Sequence, residues 1–317
     1  MNRTSLATPL RGLRAMLLLA VALGLAACAP KVQLPQYDDA GSDFAAFRAR
    51  FAPPLSAEGG LSVRTSLLYT TPKNSNRTEV QIFGDFARPL RLDVRAGLGS
   101  MLALMREDGA GLLAYYPDKK KAYAHQDPVI GAQLLGLPFP FSLQDLSHIL
   151  SGQFRTLIPV NKAPDSIIMA GDGSWAFTYS EGPVRLLMLD PHGRPERMEG
   201  ILSPYFKTQA EREKRLPAPT GRTWAITFSD YPEEDGDPEG PARTLTLALP
   251  GGESAVLRVK SLEARPGAWP VKALTLTLPG GTGFMALDRQ TAPPPGVTSI
   301  ITGESDSEPE TKGKPHG

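Results

Sequence analysis

A single cysteine in the chain excludes any internal disulfide, so the fold must stand on its core alone. Histidine is scarce too. His125, His148, His192 and His316 are the whole supply, and none has another histidine or a cysteine three or four residues away. There is no HExxH motif and no paired-cysteine spacing, so nothing points to a metal centre. GxSxG and the P-loop are missing as well. The acidic stretches "GDGS" (171–174) and "EEDGD" (233–237) lack EF-hand spacing and read as a turn and a solvated loop. A formal net charge of +1 leaves no basic footprint for nucleic acid. Nothing here calls for catalysis, and the expectation is a non-enzyme without a metal or bound cofactor.

The chain also lacks an apolar run of membrane-spanning length. The longest, "AMLLLAVALGLAA" (15–27), is too short for a comfortable span. Arg3, Arg11 and Arg14 precede it as a basic leader. It ends in "LAAC" (25–28), and small residues before a cysteine at that place resemble the lipobox of bacterial lipoproteins. The resemblance implies cleavage before Cys28 and a covalent lipid on it. The alternatives are an ordinary secretory signal with a stray cysteine, or a buried thiol. Removal of 1–27 takes away three arginines, leaving 290 residues and moving the net charge from +1 to −2. Ala29, not an aspartate, follows Cys28. By the sorting rule of enteric bacteria this favours the outer membrane, with the domain lipid-anchored on the periplasmic face. Several acyl chains, at about 0.8 kcal/mol per buried CH₂, anchor such a domain stably. Residues 28–43 then form a tether. Residues 290–317, rich in Pro, Gly, Ser, Thr and charge, are expected to be disordered. The folded part is 44–289.

Phe44, Phe47 and Phe51 share one helical face, with Ser42 or Asp43 as N-cap and Pro53-Pro54 as the stop. Alternating strand patterns follow at 61–71, 77–86, 90–96, 100–107, 111–117 and 121–125. Asp127-Pro128 opens a short helix that Gly136 ends. Ser142 and Asp145 cap a second, with Leu143, Leu146, Ile149 and Leu150 on one face. Strand patterns resume at 166–171, 174–181, 183–190, 194–202, 223–231, 243–250, 254–264, 271–279 and 283–288. The charged stretch 204–222 reads as an excursion. Many short strands with one apolar face predict a strongly curved antiparallel sheet, an unclosed β-barrel, lidded by short helices.

Three stretches carry a family resemblance. "AGLGSMLALM" (96–105) looks like an N-P-L-G turn followed by an alternating strand. "LLGLPFPFSLQDLSHILSG" (134–152) is a helix, a hydrophobic-Pro-hydrophobic-Pro step and a second helix. "WAITFSDY" (224–231) leads into an acidic loop and two hairpin strands. Together they resemble the LolB family of outer-membrane lipoprotein receptors and its soluble relative LolA, over roughly 42–265. The resemblance implies an apolar cavity for lipoprotein acyl chains, receipt of cargo from a LolA-like periplasmic carrier, and delivery to the outer membrane. It implies that Leu98, between Gly97 and Gly99, enters the membrane. Here Ala96-Gly97 replaces the family's Asn-Pro, and the strands after 266 have no counterpart. Candidate cavity residues are Met101, Leu102, Leu104, Met105, Leu112 and Tyr115 on the strands, with Leu134, Leu135, Leu146 and Ile149 on the helices. Taken singly, each is read first as ordinary packed core, and the runner-up reading of the chain is a structural or protein-interaction lipoprotein with a filled interior.

Overall fold

The computed structural model describes residues 40–51, 59–97, 99–137, 139–159, 162–203, 205–208, 211, 214, 221–232, 240–288 and 291–293. The leader, Cys28, the tether up to 39 and the tail from 294 lie outside the described residues, as does Leu98. Among the described residues, no helix is long and apolar enough to cross a membrane.

Fourteen strands form one sheet. Its first half is a meander of β1 (Gly60–Thr70), β2 (Ser75–Asp85), β3 (Leu90–Ala96), β4 (Met101–Asp108), β5 (Gly111–Tyr116) and β6 (Lys121–His125). The second half comprises β7 (Ser166–Met169), β8 (Trp175–Thr178), β9 (Val184–Leu189), β10 (Pro195–Ile201), β11 (Thr223–Ser229), β12 (Thr244–Ala248) and β13 (Ser254–Arg265). The halves join where β1 pairs with β13, from Gly60↔Arg265 to Thr70↔Ser254. β14 (Gly283–Ala286) adds to the far side of β6, and this is the only parallel pairing among the described strands. The sheet is curved and unclosed, as the alternation predicts.

Period-two burial explains the curvature's inner surface. Leu61, Val63, Val80, Ile82, Leu92 and Met105 all face inward and are buried. Helices cover that surface. In α1 (Ala40–Phe51), Phe44, Phe47 and Phe51 turn into the core, as their spacing predicts. Phe44 meets Phe177 of β8 at 4.9 Å between ring centroids, and Phe47 and Phe51 both contact Phe154. Such ring pairs add about 0.5–1.5 kcal/mol each beyond area burial.

α2 (Pro128–Leu134) starts where expected: the Asp127 carboxylate accepts from the Ile130 amide at 2.9 Å. α3 (Leu143–Leu150) is capped by Ser142, which accepts from the Asp145 amide at 3.0 Å and donates to its carboxylate at 2.7 Å. Gly136 and Gly152 follow the two helices at φ +79 and +74. α2 lies over β5 and β6, and α3 over β1 to β3. The close seat of α2 requires Gly131, because a Cβ there would stand 2.8 Å from the Cβ of His125.

One strand expectation is overturned. "VKALTLTLP" (271–279) is not a strand: Val271–Leu274 is a helical turn, α4, and 275–279 joins no strand ladder. Its leucines alternate because they lie on the sheet's outer face, not because the segment joins the ladder. Leu276, with Phe284 of β14, forms a second cluster there around Tyr115, Ala122 and Ala124. The outer face of β4 to β6 is therefore covered, whereas simple alternation predicts it open to water. The excursion at 204–222 is anchored where it is described: Phe206 is buried, and Arg222 holds both the Glu211 carboxylate and the Phe206 carbonyl.

Candidate functional site

Between the sheet's inner surface and the α2–α3 pair lies an apolar cavity of about 80 Å³. Its floor is Leu67, Val80, Leu92, Val94 and Leu112. Its roof is Pro128 and Ala132 of α2 and Leu143 and Leu146 of α3. Leu137, Phe139 and Phe141, from the link between the helices, complete it. No charged or hydrogen-bonding side chain lines it. On the strands the cavity runs from Leu67 and Val94, near the 97–100 turn, to Leu112, which pairs with Glu107 beside the β4–β5 hairpin at the opposite end. Leu67 is level with Thr78, and Thr78 with Ala96. In that turn Gly99 donates its amide to the Ala96 carbonyl at 2.8 Å, and Gly97 and Gly99 are exposed.

The two roof helices are held differently. α3 is fastened by polar contacts. Glu107 of β4, with no exposed surface, accepts from the Leu143 amide at 2.6 Å. A carboxylate at a helix's first amides is favourably placed. Arg88 Nη2 stands 2.9 Å from the other Glu107 oxygen, an ion contact without hydrogen-bond alignment. Burial pushes the Glu107 carboxyl above its ordinary range, and Arg88 and the Leu143 amide pull it back. Gln144 donates to the Phe86 carbonyl at 2.7 Å. His148 stacks on Phe86 at 5.3 Å, and its Nδ1 lies 3.0 Å from Gln153 Oε1. Burial holds the His148 imidazole below its usual range, and its Nε2 has no partner.

α2 lacks such fastenings. Its Gln133 side chain is buried, yet neither amide atom has a hydrogen-bond partner. An unmade buried bond costs about 1–3 kcal/mol. Leu134 is 44% exposed. α2 is the weaker half of the roof.

Of the ten candidate cavity residues, Leu112 and Leu146 line the cavity. Met105 and Ile149 are buried in the same core without lining it, and Leu135 packs against that core. Leu104 and Tyr115 face the other way, into the outer cluster, because neighbouring strand positions alternate in direction. Met101 is half-buried opposite Arg95, beyond a register shift, and Leu102 is 40% exposed. Glu107, Arg88 and Gln133 escaped sequence reasoning. The signal for Glu107 was there: it continues the inward-facing row of Ala103 and Met105, where a charge needs a buried partner. Among the described residues, no cluster of His, Cys, Asp or Glu could hold a metal ion.

No protein-family model matches the chain, and no curated protein matches it in sequence. Solved structures show a general likeness. A LolA superfamily protein from Nitrosomonas europaea is 12% identical, covering 75% of this chain and 97% of its own, at a TM-score of 0.48. A domain described as an outer membrane lipoprotein-sorting protein, from Vibrio parahaemolyticus, is 14% identical over 73% of this chain and 94% of its own, at 0.43. A DUF1329 family protein from Desulfovibrio piger is 11% identical over 75% and 100%, at 0.44. At such identities and TM-scores, no activity and no functional residue passes from these proteins to this chain.

Proposed function

We propose that the chain is a LolB-like lipoprotein, anchored by a lipid on Cys28, that takes acyl chains into the cavity under α2 and α3 and passes them to the outer membrane. The observation that carries this reading is the cavity's lining, apolar throughout. An acyl chain asks for nothing else, because it has no polar group to satisfy. At about 80 Å³ the cavity is closed down, well below the roughly 300 Å³ at which ligand sites begin. Uptake therefore requires α2 to move off β5 and β6, and its orphaned Gln133 amide favours that movement. Leu98 serves as the membrane-entering residue of the turn, contributing about 1.5–3 kcal/mol if fully buried in the acyl boundary. The donor is a LolA-like carrier.

The small volume favours a second reading, a structural or interaction lipoprotein with a filled core. Native mass spectrometry of the full chain, purified from membranes and challenged with a fluorescent long-chain fatty acid, separates the two. Bound acyl chains and saturable uptake support the carrier; no uptake at any concentration supports the filled core. Leu98→Glu is expected to impair lipoprotein transfer to vesicles while leaving the thermal transition unchanged. A wild-type transfer rate in that variant would overturn its role.

A further inference from the structure

The acyl-chain reading leaves the run "DKKK" (118–121) without a role. The meander shows where it goes. Successive connections of β1 to β6 alternate between two ends of the sheet. Asp108↔Gly111 closes the β4–β5 hairpin at the far end, and Gly84↔Leu90 places the β2–β3 connection there too. The other three connections, 71–74, 97–100 and 117–120, therefore share the near end. Each carries cations. Lys73 and Arg77 stand at the first, Arg95 beside the second, and Lys119, Lys120 and Lys121 at the third, all exposed. Asp118 is the only acid among the described residues of 71–77, 95–101 and 116–121. Glu79, two residues along β2 from Arg77, has its carboxylate taken by Lys260.

The far end is different. There Arg88, Arg91 and Arg106 each face a carboxylate, of Glu107, Asp93 and Asp108 respectively. At the near end Arg77 and Arg95 make no ion pair or hydrogen bond among the described residues. Apolar side chains stand amid this charge: Leu102, opening β4, is 40% exposed, and Met101 is half-buried. Cations on three separate tips match a broad anionic surface better than a single bound ligand. Apolar side chains among them match an apolar phase just beneath that surface. A bilayer with anionic headgroups offers both; an acidic protein meets only the charge. We propose that this end of the sheet docks on a bilayer surface rich in anionic headgroups. This rests on the reading that the 97–100 turn meets the membrane, and it names the lipid class met there.

Lysine labelling tests it. The full chain is reconstituted into vesicles of phosphatidylcholine, or of phosphatidylcholine and phosphatidylglycerol in equal parts. A membrane-impermeant acylating reagent is applied, and labelled peptides are mapped by mass spectrometry. Lys73, Lys119, Lys120 and Lys121 are expected to label roughly fivefold slower on the mixed vesicles, and high salt should remove the difference. Lys272 of α4, a segment that Arg91 holds near the far end, should label alike on both. Equal labelling of the near-end lysines on the two vesicles would overturn the proposal. Protection that appears only when polyglutamate is added would overturn it in favour of an acidic protein. The turn's own role is read separately by Leu98→Glu. Protected lysines with normal transfer in that variant would keep the charge and remove the leucine; equal labelling with impaired transfer would do the reverse.

Discussion

Ala132 stands in the cavity roof, and enlarging it probes both the cavity and its use. A void of about 80 Å³ costs about 2 kcal/mol at roughly 24 cal/mol per Å³. Ala132→Leu adds three carbons, at about 0.8 kcal/mol each on burial, less side-chain ordering and some repacking strain. The net expectation is about 1 kcal/mol of added stability, or about 2–4 °C in Tm for a domain of this size. That stability belongs to the closed state, which must open for uptake. An opening made about 1 kcal/mol harder weakens apparent affinity about fivefold, before any clash with the ligand. Differential scanning calorimetry gives the first quantity and a fluorescent fatty-acid titration the second. A variant that melts lower and binds as the wild type does would refute the reasoning, because the void would be neither fillable nor used.

Other substitutions test the roof's fastenings. Glu107→Gln keeps an acceptor for the Leu143 amide but leaves Arg88 without its countercharge, so denaturant titration should show a loss of about 1–3 kcal/mol. His148 is held neutral by burial, while the unfolded chain takes a proton near pH 6.5, so its contribution is whole above that pH. It is lost as pH falls through the depressed folded value. His148→Phe should flatten the decline of stability below pH 6.5 in unfolding curves at stepped pH; an unchanged slope would remove His148 from that limb. Phe47→Ala, deleting the centre of the α1 cluster, is expected to cost about 3–5 kcal/mol in urea unfolding.

Much of this architecture is legible in the residues because the signals are local. Phe44, Phe47 and Phe51 mark a helix face by spacing, and Asp127-Pro128 and Ser142 mark helix starts by chemistry that acts within one turn. What fails is the assignment of faces. "MLALM" and "GLLAYY" are apolar at successive positions, which on a strand means burial on both sides. Reading Met101, Leu102, Leu104, Met105, Leu112 and Tyr115 as one cavity wall overlooked the outer cover that Leu276 and Phe284 provide. The same cover explains the misread strand at 271–279, since alternation reports which side chains are buried and not whether the backbone is paired. Gln133 carried no sequence signal, because a glutamine on a helix is ordinarily at the surface.

The parallel pairing of β14 with β6 fixes an order of events during synthesis. Gln126, just past β6, donates to Asp288, just past β14, across 162 residues of chain. At about 5–20 residues per second, a ribosome needs roughly 8–30 s to make that interval. Through it the backbone edge of residues 121–125 stands open, able to pair with any passing strand. Exposed edges of this kind invite association between nascent chains. A chain kept unfolded until Gly283–Ala286 has been made avoids that exposure, because β14 is the strand that covers this edge.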